Sequence, residues 1–318
     1  MKTIDIHTHG IGGVDTRTRN VDDILAIAEM HGSLGVTEII PTLYSAPIRE
    51  MRAQMATVRL AMDRQKNVSS GALSDNNPPL PPLEKGGKGG FETGGAGKNS
   101  PPAHIIGVHL EGPFLNPVKC GALDAPSFSE PGEYALMELL EGFEDIVRII
   151  TVAPEIRGAI ALIKKVSGMG IVVSMGHSDA TYTEAENGFR AGACGITHIF
   201  NAMRGIHHRE PGIAGFGLLN RDIYIEIIAD PYHLHPKTLE LVFKIKNHDR
   251  ILLVSDTVKE TEAGGCGMNG IRDSTGTLMG GCMTVTESSQ RLMQLGYDEG
   301  AILDCITKNP QRYLQGNR

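Results

Sequence analysis

The sequence has no block of basic residues and no apolar run long enough to cross a membrane. Its formal charge of −7 is spread along the chain. Nucleic acid and anionic membrane surfaces select for clustered lysine and arginine, so neither is expected as a partner. The N-terminus lacks a basic n-region and an apolar h-region, and a cytoplasmic location is expected. There is no C-x-x-C, and the five cysteines (Cys120, Cys194, Cys266, Cys282 and Cys305) are widely spaced and odd in number. Free thiols in a reducing compartment are the expectation. No G-x-G-x-x-G follows the first predicted strand, so the usual fingerprint of a nucleotide site is missing.

What the chain does have is apolar content, 41% of 318 residues, enough for a large core. Short β-rich runs fall at 3–6, 38–42, 105–110, 147–152, 171–175, 195–199, 223–229 and 251–254. Several are continuously apolar, the pattern of strands buried on both faces. Helical patterns cover 21–34, 47–65, 156–167, 182–191 and 236–247, with two more at 284–295 and 298–307. Eight strands alternating with helices predict a (β/α)8 TIM-type barrel spanning residues 1–318, with a doubly wound open sheet as the alternative. One segment breaks the alternation. Residues 68–102, rich in Pro, Gly and Ser, cannot repay their ordering entropy by burial and are expected to be a disordered insertion. It falls between the second helix and the third strand, on the barrel face opposite an active site, and is expected to be functionally neutral.

Polar residues gather at the ends of these predicted strands. His7 and His9 alternate at the end of the first and so project to the same side. Glu111 ends the third, His177 the fifth, and His198 lies on the sixth. Asp230 and His233 follow the seventh, and Asp256 the eighth. A barrel brings the C-terminal ends of all its strands to one mouth. A single strand-end histidine is more often a hydrogen-bonded loop residue than a ligand. Imidazoles and carboxylates converging from several strands predict a metal site, and they suit zinc or iron. His31, His104 and His248 fall outside the pattern. A packing role is expected for His109, and a local or substrate role for His235.

The phrases DIHTHGIGGVD, GVHLEGPFLNPVKCGA, SMGHSDATYTEA, THIFNAMRGIHHREPG, IIADPYH, LLVSD and GTLMGG occur in that order. Together they resemble the N-acetylglucosamine-6-phosphate deacetylase family of the metal-dependent amidohydrolase superfamily. The resemblance covers residues 3 to about 314, apart from the Pro/Gly insertion. It implies hydrolysis of the acetamide of a phosphorylated amino sugar, giving glucosamine 6-phosphate and acetate. It implies that Glu111, His177 and His198 are the principal metal ligands. His7 and His9 match the pair that some members use for a second ion, so one or two divalent metals are expected. Asp256 matches the catalytic acid/base. Ala122, Asn201, Ala202, Arg209, Asp230, His233, Leu278, Met279 and Gly280 match substrate-contacting positions. In the family the counterpart of Arg209 reaches a neighbouring subunit, which implies a homodimer. On residue type alone, an ion pair with Glu210 is the simpler role for Arg209.

The resemblance fails at three places. Leu123 stands where the family has a hydrogen-bonding histidine, and Pro231 where it has glycine. The small β-sandwich that flanks the family's barrel is expected to be absent. Two other functions therefore stay open: a barrel that hydrolyses a different amide, and a non-catalytic barrel kept for binding.

Overall fold

The computed structural model describes residues 2–69, 100–267 and 269–316. Its main sheet runs β1 (Ile4–Thr8), β2 (Glu38–Leu43), β3 (Val108–Glu111), β4 (Val147–Val152), β5 (Val172–Met175), β6 (Gly195–Ile196), β7 (Tyr224–Ile228) and β8 (Ile251–Val254). These eight are hydrogen-bonded in chain order, and every pairing is parallel. A short strand at His104–Ile105 adds to β2. The first and last strands meet at their C-terminal ends, where the His7 carbonyl accepts from Asp256 N at 2.8 Å. Ile4, Ile40, Ile149, Val172, Tyr224 and Leu252, from six strands around the sheet, share one buried cluster with Tyr313. Side chains from distant strands of an open sheet would not meet, so the sheet is curled into the predicted barrel.

The helices are α1 (Val21–Ser33), α2 (Ile48–Ser69), α3 (Glu133–Leu140), α4 (Ala159–Gly168), α5 (Tyr182–Ala191), α6 (Gly212–Leu219), α7 (Pro236–Ile245), α8 (Val285–Gln294), α9 (Glu299–Ile306) and α10 (Lys308–Leu314). The larger apolar cluster fills the layer between helices and sheet, with Ile27 of α1, Ile39 of β2, Leu139 of α3 and Ile163 of α4 all buried. Local chemistry sets the helix starts. At α5, Thr181 Oγ1 accepts from Glu184 N while Glu184 Oε2 accepts from Thr181 N, and Thr284 with Glu287 repeats this box at α8. No described helix is long and apolar enough to cross a membrane.

Two strand expectations need adjusting, and helix α6 was not anticipated. The strand expected over 105–110 is broken at Gly107, where a Cβ would lie 2.7 Å from the Ile146 carbonyl oxygen. The strand expected over 195–199 stops at Ile196, because His198 turns into the left-handed region. Helix α6 had no amphipathic signature. Its sequence is apolar on every side and carries three glycines, and its residues Gly212–Leu218 are all buried. Of the segment expected to be disordered, residues 70–99 lie outside the described residues; Val68 and Ser69 still belong to α2. Outside the barrel, the strands among the described residues are two small antiparallel pairs, Gly10–Ile11 with Val14–Asp15 and Ile271–Arg272 with Leu278–Gly280.

Candidate metal centre and substrate cavity

The strand-end residues converge as the barrel rule requires. Glu111 is the hub. Its Oε1 lies 3.0 Å from both His177 Nε2 and His198 Nε2 and 3.6 Å from His7 Nε2, and its Oε2 lies 3.3 Å from His9 Nε2. Asp256 Oδ1 closes the group at 3.5 Å from His7 Nε2 and 3.4 Å from His9 Nε2. All six side chains are buried. They form two sets, His7/His9/Asp256 and Glu111/His177/His198, each with donor atoms within 4.8 Å of one another.

The outer ring atoms decide what the inner ones can do. His9 Nδ1 faces the Thr42 carbonyl at 3.0 Å and His177 Nδ1 the Lys119 carbonyl at 2.9 Å. A carbonyl only accepts, so in both rings Nδ1 carries a proton, and Nε2 is the atom that can offer a lone pair to a cation. His7 Nδ1 lies 3.1 Å from Glu226 Oε2, which has the same effect, while His7 Nε2 is buried with no hydrogen-bond partner. Outward anchoring and inward lone pairs are the arrangement of metal-ligating histidines.

Charge points the same way. Burial pushes the Asp256 carboxyl well above the usual carboxylate range, and the charges of Glu111, Glu226 and Asp5 add to it. Burial also raises Asp5, to about 7, and Glu226. It drives His7 well below the usual imidazole range, so that ring is neutral. Burial alone would raise Glu111 as well, but the charge of His177 and hydrogen bonds from His177, His198 and His9 outweigh it and hold it low. Four acids so close together, among imidazole rings, fit a divalent cation.

Backbone strain collects here. The non-glycine residues with positive φ among the described residues are His177 (47°), His198 (28°), Phe200 (77°), Ala202 (48°) and Asp256 (50°). A β-strand leading straight into the left-handed region swings the next side chain inward over the barrel mouth. Such strain costs about 1–3 kcal/mol per residue, and it persists where surrounding bonds over-determine it. For the His177 turn, Glu155 supplies those bonds. Its carboxylate accepts from Asn116 Nδ2 at 2.9 Å, Ser178 Oγ at 2.7 Å and Asp179 N at 2.6 Å.

A cavity of about 380 Å³ opens over this cluster. His9, Glu111, His177, His198 and Asp256 form its floor, and Gly121 to Asp124, Asn201, Ala202, His233 and Thr277 to Gly280 its walls, with Arg17, Tyr44 and Ser45 beside His9. Its size suits one small-molecule ligand.

No family model matches the chain. A curated N-acetylglucosamine-6-phosphate deacetylase from Vibrio furnissii is 30% identical over 258 residues, covering 81% of this chain and 56% of the relative. The chain thus matches little more than half the length of that relative. An N-acetylgalactosamine-6-phosphate deacetylase from Escherichia coli O157:H7 is 30% identical over 327 residues, covering 98% of this chain and 76% of the relative. The chain belongs to the N-acetylglucosamine-6-phosphate deacetylase family. Among solved structures, a variant of the Mycobacterium smegmatis N-acetyl-D-glucosamine-6-phosphate deacetylase in complex with N-acetyl-D-glucosamine 6-phosphate superposes with a TM-score of 0.79. It is 25% identical, over 98% of this chain and 77% of that one.

Of the positions that family resemblance suggested for substrate, Ala122, Asn201, Ala202, His233, Leu278, Met279 and Gly280 line the cavity. Asp230 does not. It is buried behind His233 and holds that ring through Nδ1 at 2.9 Å, which leaves Nε2 for a ligand. Arg209 is exposed on a loop outside the cavity. It contacts His208 Nε2 at 3.0 Å and makes no ion pair with Glu210, whose Oε1 accepts from Tyr182 N and Gly212 N. Leu123 lines the cavity, so the family's missing hydrogen-bonding side chain is a feature of the site itself. His109 is buried beneath the centre, 2.8 Å from Thr151 Oγ1, and His235 caps α7 through Nδ1.

The expectation of five free thiols is corrected. Cys266 and Cys282 form a disulfide, with Cα atoms 5.0 Å apart, while Cys120, Cys194 and Cys305 are not disulfide-bonded. The reason is the path of the chain. It runs out from β8 and returns as the Leu278–Gly280 strand against the same edge, where Gly281 N donates to the Asp256 carbonyl at 2.7 Å. The turn delivers Cys282 beside Asp230, its N 3.2 Å from Asp230 Oδ2. A Cβ at Gly281 would collide with the Ser255 carbonyl, so only glycine allows this approach.

Sequence reasoning also missed Arg17, Tyr44 and Glu226. Glu226 left a signal, an acid in the middle of an otherwise apolar buried strand. Tyr44 left none; its ring stacks on His9 at 3.8 Å because it follows the last residue of β2.

Proposed function

We propose that this chain is a metal-dependent hydrolase that removes the acetyl group from a 6-phosphorylated N-acetyl amino sugar. One observation carries the reading: four imidazole Nε2 atoms and the carboxylates of Glu111 and Asp256 face one buried point under a ligand-sized cavity. Glu111, His177 and His198 would hold one divalent ion, and His7 and His9 a second. Zinc and iron both suit this donor set. A bound divalent cation supplies Lewis acidity toward the amide carbonyl and makes water easier to deprotonate.

The chain's own residues do the rest. Asp256 accepts a proton from the attacking water and returns it to the amide nitrogen as the C–N bond breaks, releasing acetate and a free amine. His233, steadied by Asp230, offers Nε2 at the cavity wall. Leu278 and Met279 present an apolar edge to the sugar. Arg209, on the surface, would serve the cavity of a second copy in a homodimer.

The test is acetate release from N-acetylglucosamine 6-phosphate and N-acetylgalactosamine 6-phosphate, with added Zn²⁺ or Fe²⁺ and with a chelator. Metal-dependent release from either is expected. A folded, metal-loaded protein that releases none from both would leave a barrel with a different amide substrate, the alternative that Leu123 favours.

A further inference from the structure

Glu226 is fully buried in the middle of β7, yet it neither lines the cavity nor belongs to either donor set. Its strand neighbours Ile225 and Ile227 are apolar and buried. An apolar side chain at 226 would pack there without stripping a carboxyl group of water. The cost is not fully offset locally, because Glu226 Oε1 has no hydrogen-bond partner, and neither has Asp5 Oδ2. Buried acids left this way suit a place where a cation binds nearby.

The contacts that Glu226 does make lead to the metal centre. Its Oε2 accepts from His198 N at 3.3 Å and lies 3.1 Å from His7 Nδ1. Glu111 and Asp256 face the other nitrogen of that ring, Nε2. Glu226 therefore stands behind the donor atom rather than beside it. The other rings are held differently. His9 and His177 rest on backbone carbonyls, and His198 Nδ1 has no partner. His7 is the one ring of the four with a carboxylate at Nδ1. A carboxylate in that position fixes the tautomer and rotation of a ligating imidazole and makes it a stronger donor.

We propose that Glu226 is the positioning residue that fixes His7 for the second divalent ion, and so sets whether this chain keeps two ions or one. The inference rests on the metal site proposed above, but not on the reaction. A simpler role would be to support the strained turn at His198. That role acts on the other ion, because His198 belongs with Glu111 and His177. The two roles therefore differ in which ion is lost when Glu226 is replaced.

The experiment is equilibrium titration of the full chain, stripped of metal, with Zn²⁺ against a competing chelator. Wild type, Glu226→Leu, Glu226→Gln and His7→Ala are compared, with each Glu226 change also made in the His7→Ala background. Wild type should take up two ions per chain. Loss of the carboxylate behind a ligand predicts that Glu226→Leu weakens one of them by about 10- to 100-fold and leaves the other nearly unchanged. Glu226→Gln, which keeps an acceptor for Nδ1 without the charge, should fall between. With His7 already replaced, Glu226→Leu should add no further loss. Equal weakening of both ions, a loss of the same size in the His7→Ala background, or a wild type that takes up a single ion overturns the inference. If Glu226→Leu does not fold, Glu226→Gln with and without His7→Ala is judged by the same outcomes. Acetate release is read separately. Normal binding of two ions with no release would end the proposed reaction and leave this role for Glu226 standing.

Discussion

The mouth of this barrel has two unlike halves. One is made of strand ends: His7, His9, Glu111, His177, His198 and Asp256 are all buried and grip one another across five strands. The other is made of loops: Gly121 to Asp124, Thr277 to Gly280 and Arg17 are mostly half-buried or exposed, held by a few local cross-links. The first half inherits its geometry from the fold, since parallel strands in register cannot move singly. The second takes its geometry from a disulfide, a stacked ring and a few turns. A substrate preference can change in the second half while the first stays as it is, and Leu123 lies in the second.

Substitutions within the first half should have the largest effects. Glu111 is the hub for four histidines, so Glu111→Gln should lose metal and lower turnover by three orders of magnitude or more, on the order of 4 kcal/mol. Asp256→Asn should separate chemistry from binding. Metal content should stay near wild type while turnover drops about 10²- to 10⁴-fold, the range for a lost general acid–base. Metal analysis beside acetate release checks both. A Glu111→Gln protein that keeps full metal content would take Glu111 out of the ligand set. An Asp256→Asn protein that keeps its turnover would move the proton transfer elsewhere.

Acid should loosen the buried half next. His31 of α1 lies under β1, its Nε2 3.0 Å from the Oγ1 of Thr8, which stands between His7 and His9. Burial lowers its pKa to about 4. In the unfolded chain it titrates near 6.5, so between those values the unfolded state binds the extra proton. Its contribution is therefore fully present above pH 6.5 and is lost as pH falls through about 4. The loss amounts to about 3 kcal/mol. Urea unfolding of metal-free protein at several pH values, wild type against His31→Gln, isolates this contribution. Equal pH slopes in the two proteins would mean that His31 is not what acid attacks.

The same contrast explains what could be read in the sequence. Alternation of apolar runs and helical periods revealed the barrel, and the rule that strand ends share a mouth placed all six centre residues together before any coordinates. Those inferences need only chain order and residue type. Arg17, Tyr44 and the Cys266–Cys282 bridge were not legible, because each depends on the path of a loop. Nothing in a spacing of 16 residues says that two cysteines meet, and a tyrosine after a strand has many places to go. Helix α6 hid for a related reason. It is buried all round, and periodicity is informative only where one face is wet. Gly217 fits this: a Cβ there would come within 3.0 Å of Ile199 and 3.2 Å of Ile196, so the glycines that obscure the helix let it seat on the sheet.

The smallest effect should come from the loop half, by breaking the bridge that holds it. The disulfide closes a loop that carries Thr277, Leu278, Met279 and Gly280, and Tyr232 OH donates to the Gly267 carbonyl at 2.6 Å from the turn that bears His233. Two cavity walls are thus tied together through Tyr232 and Gly267. Reduction by a dithiol, or Cys266→Ser with Cys282→Ser, should let this wall open locally. KM should rise several-fold while metal content and the unfolding midpoint of the barrel change little. A loss of metal on reduction would show that the two halves are coupled through Asp230 and Cys282, and the division between a rigid centre and a replaceable wall would have to be redrawn at β7.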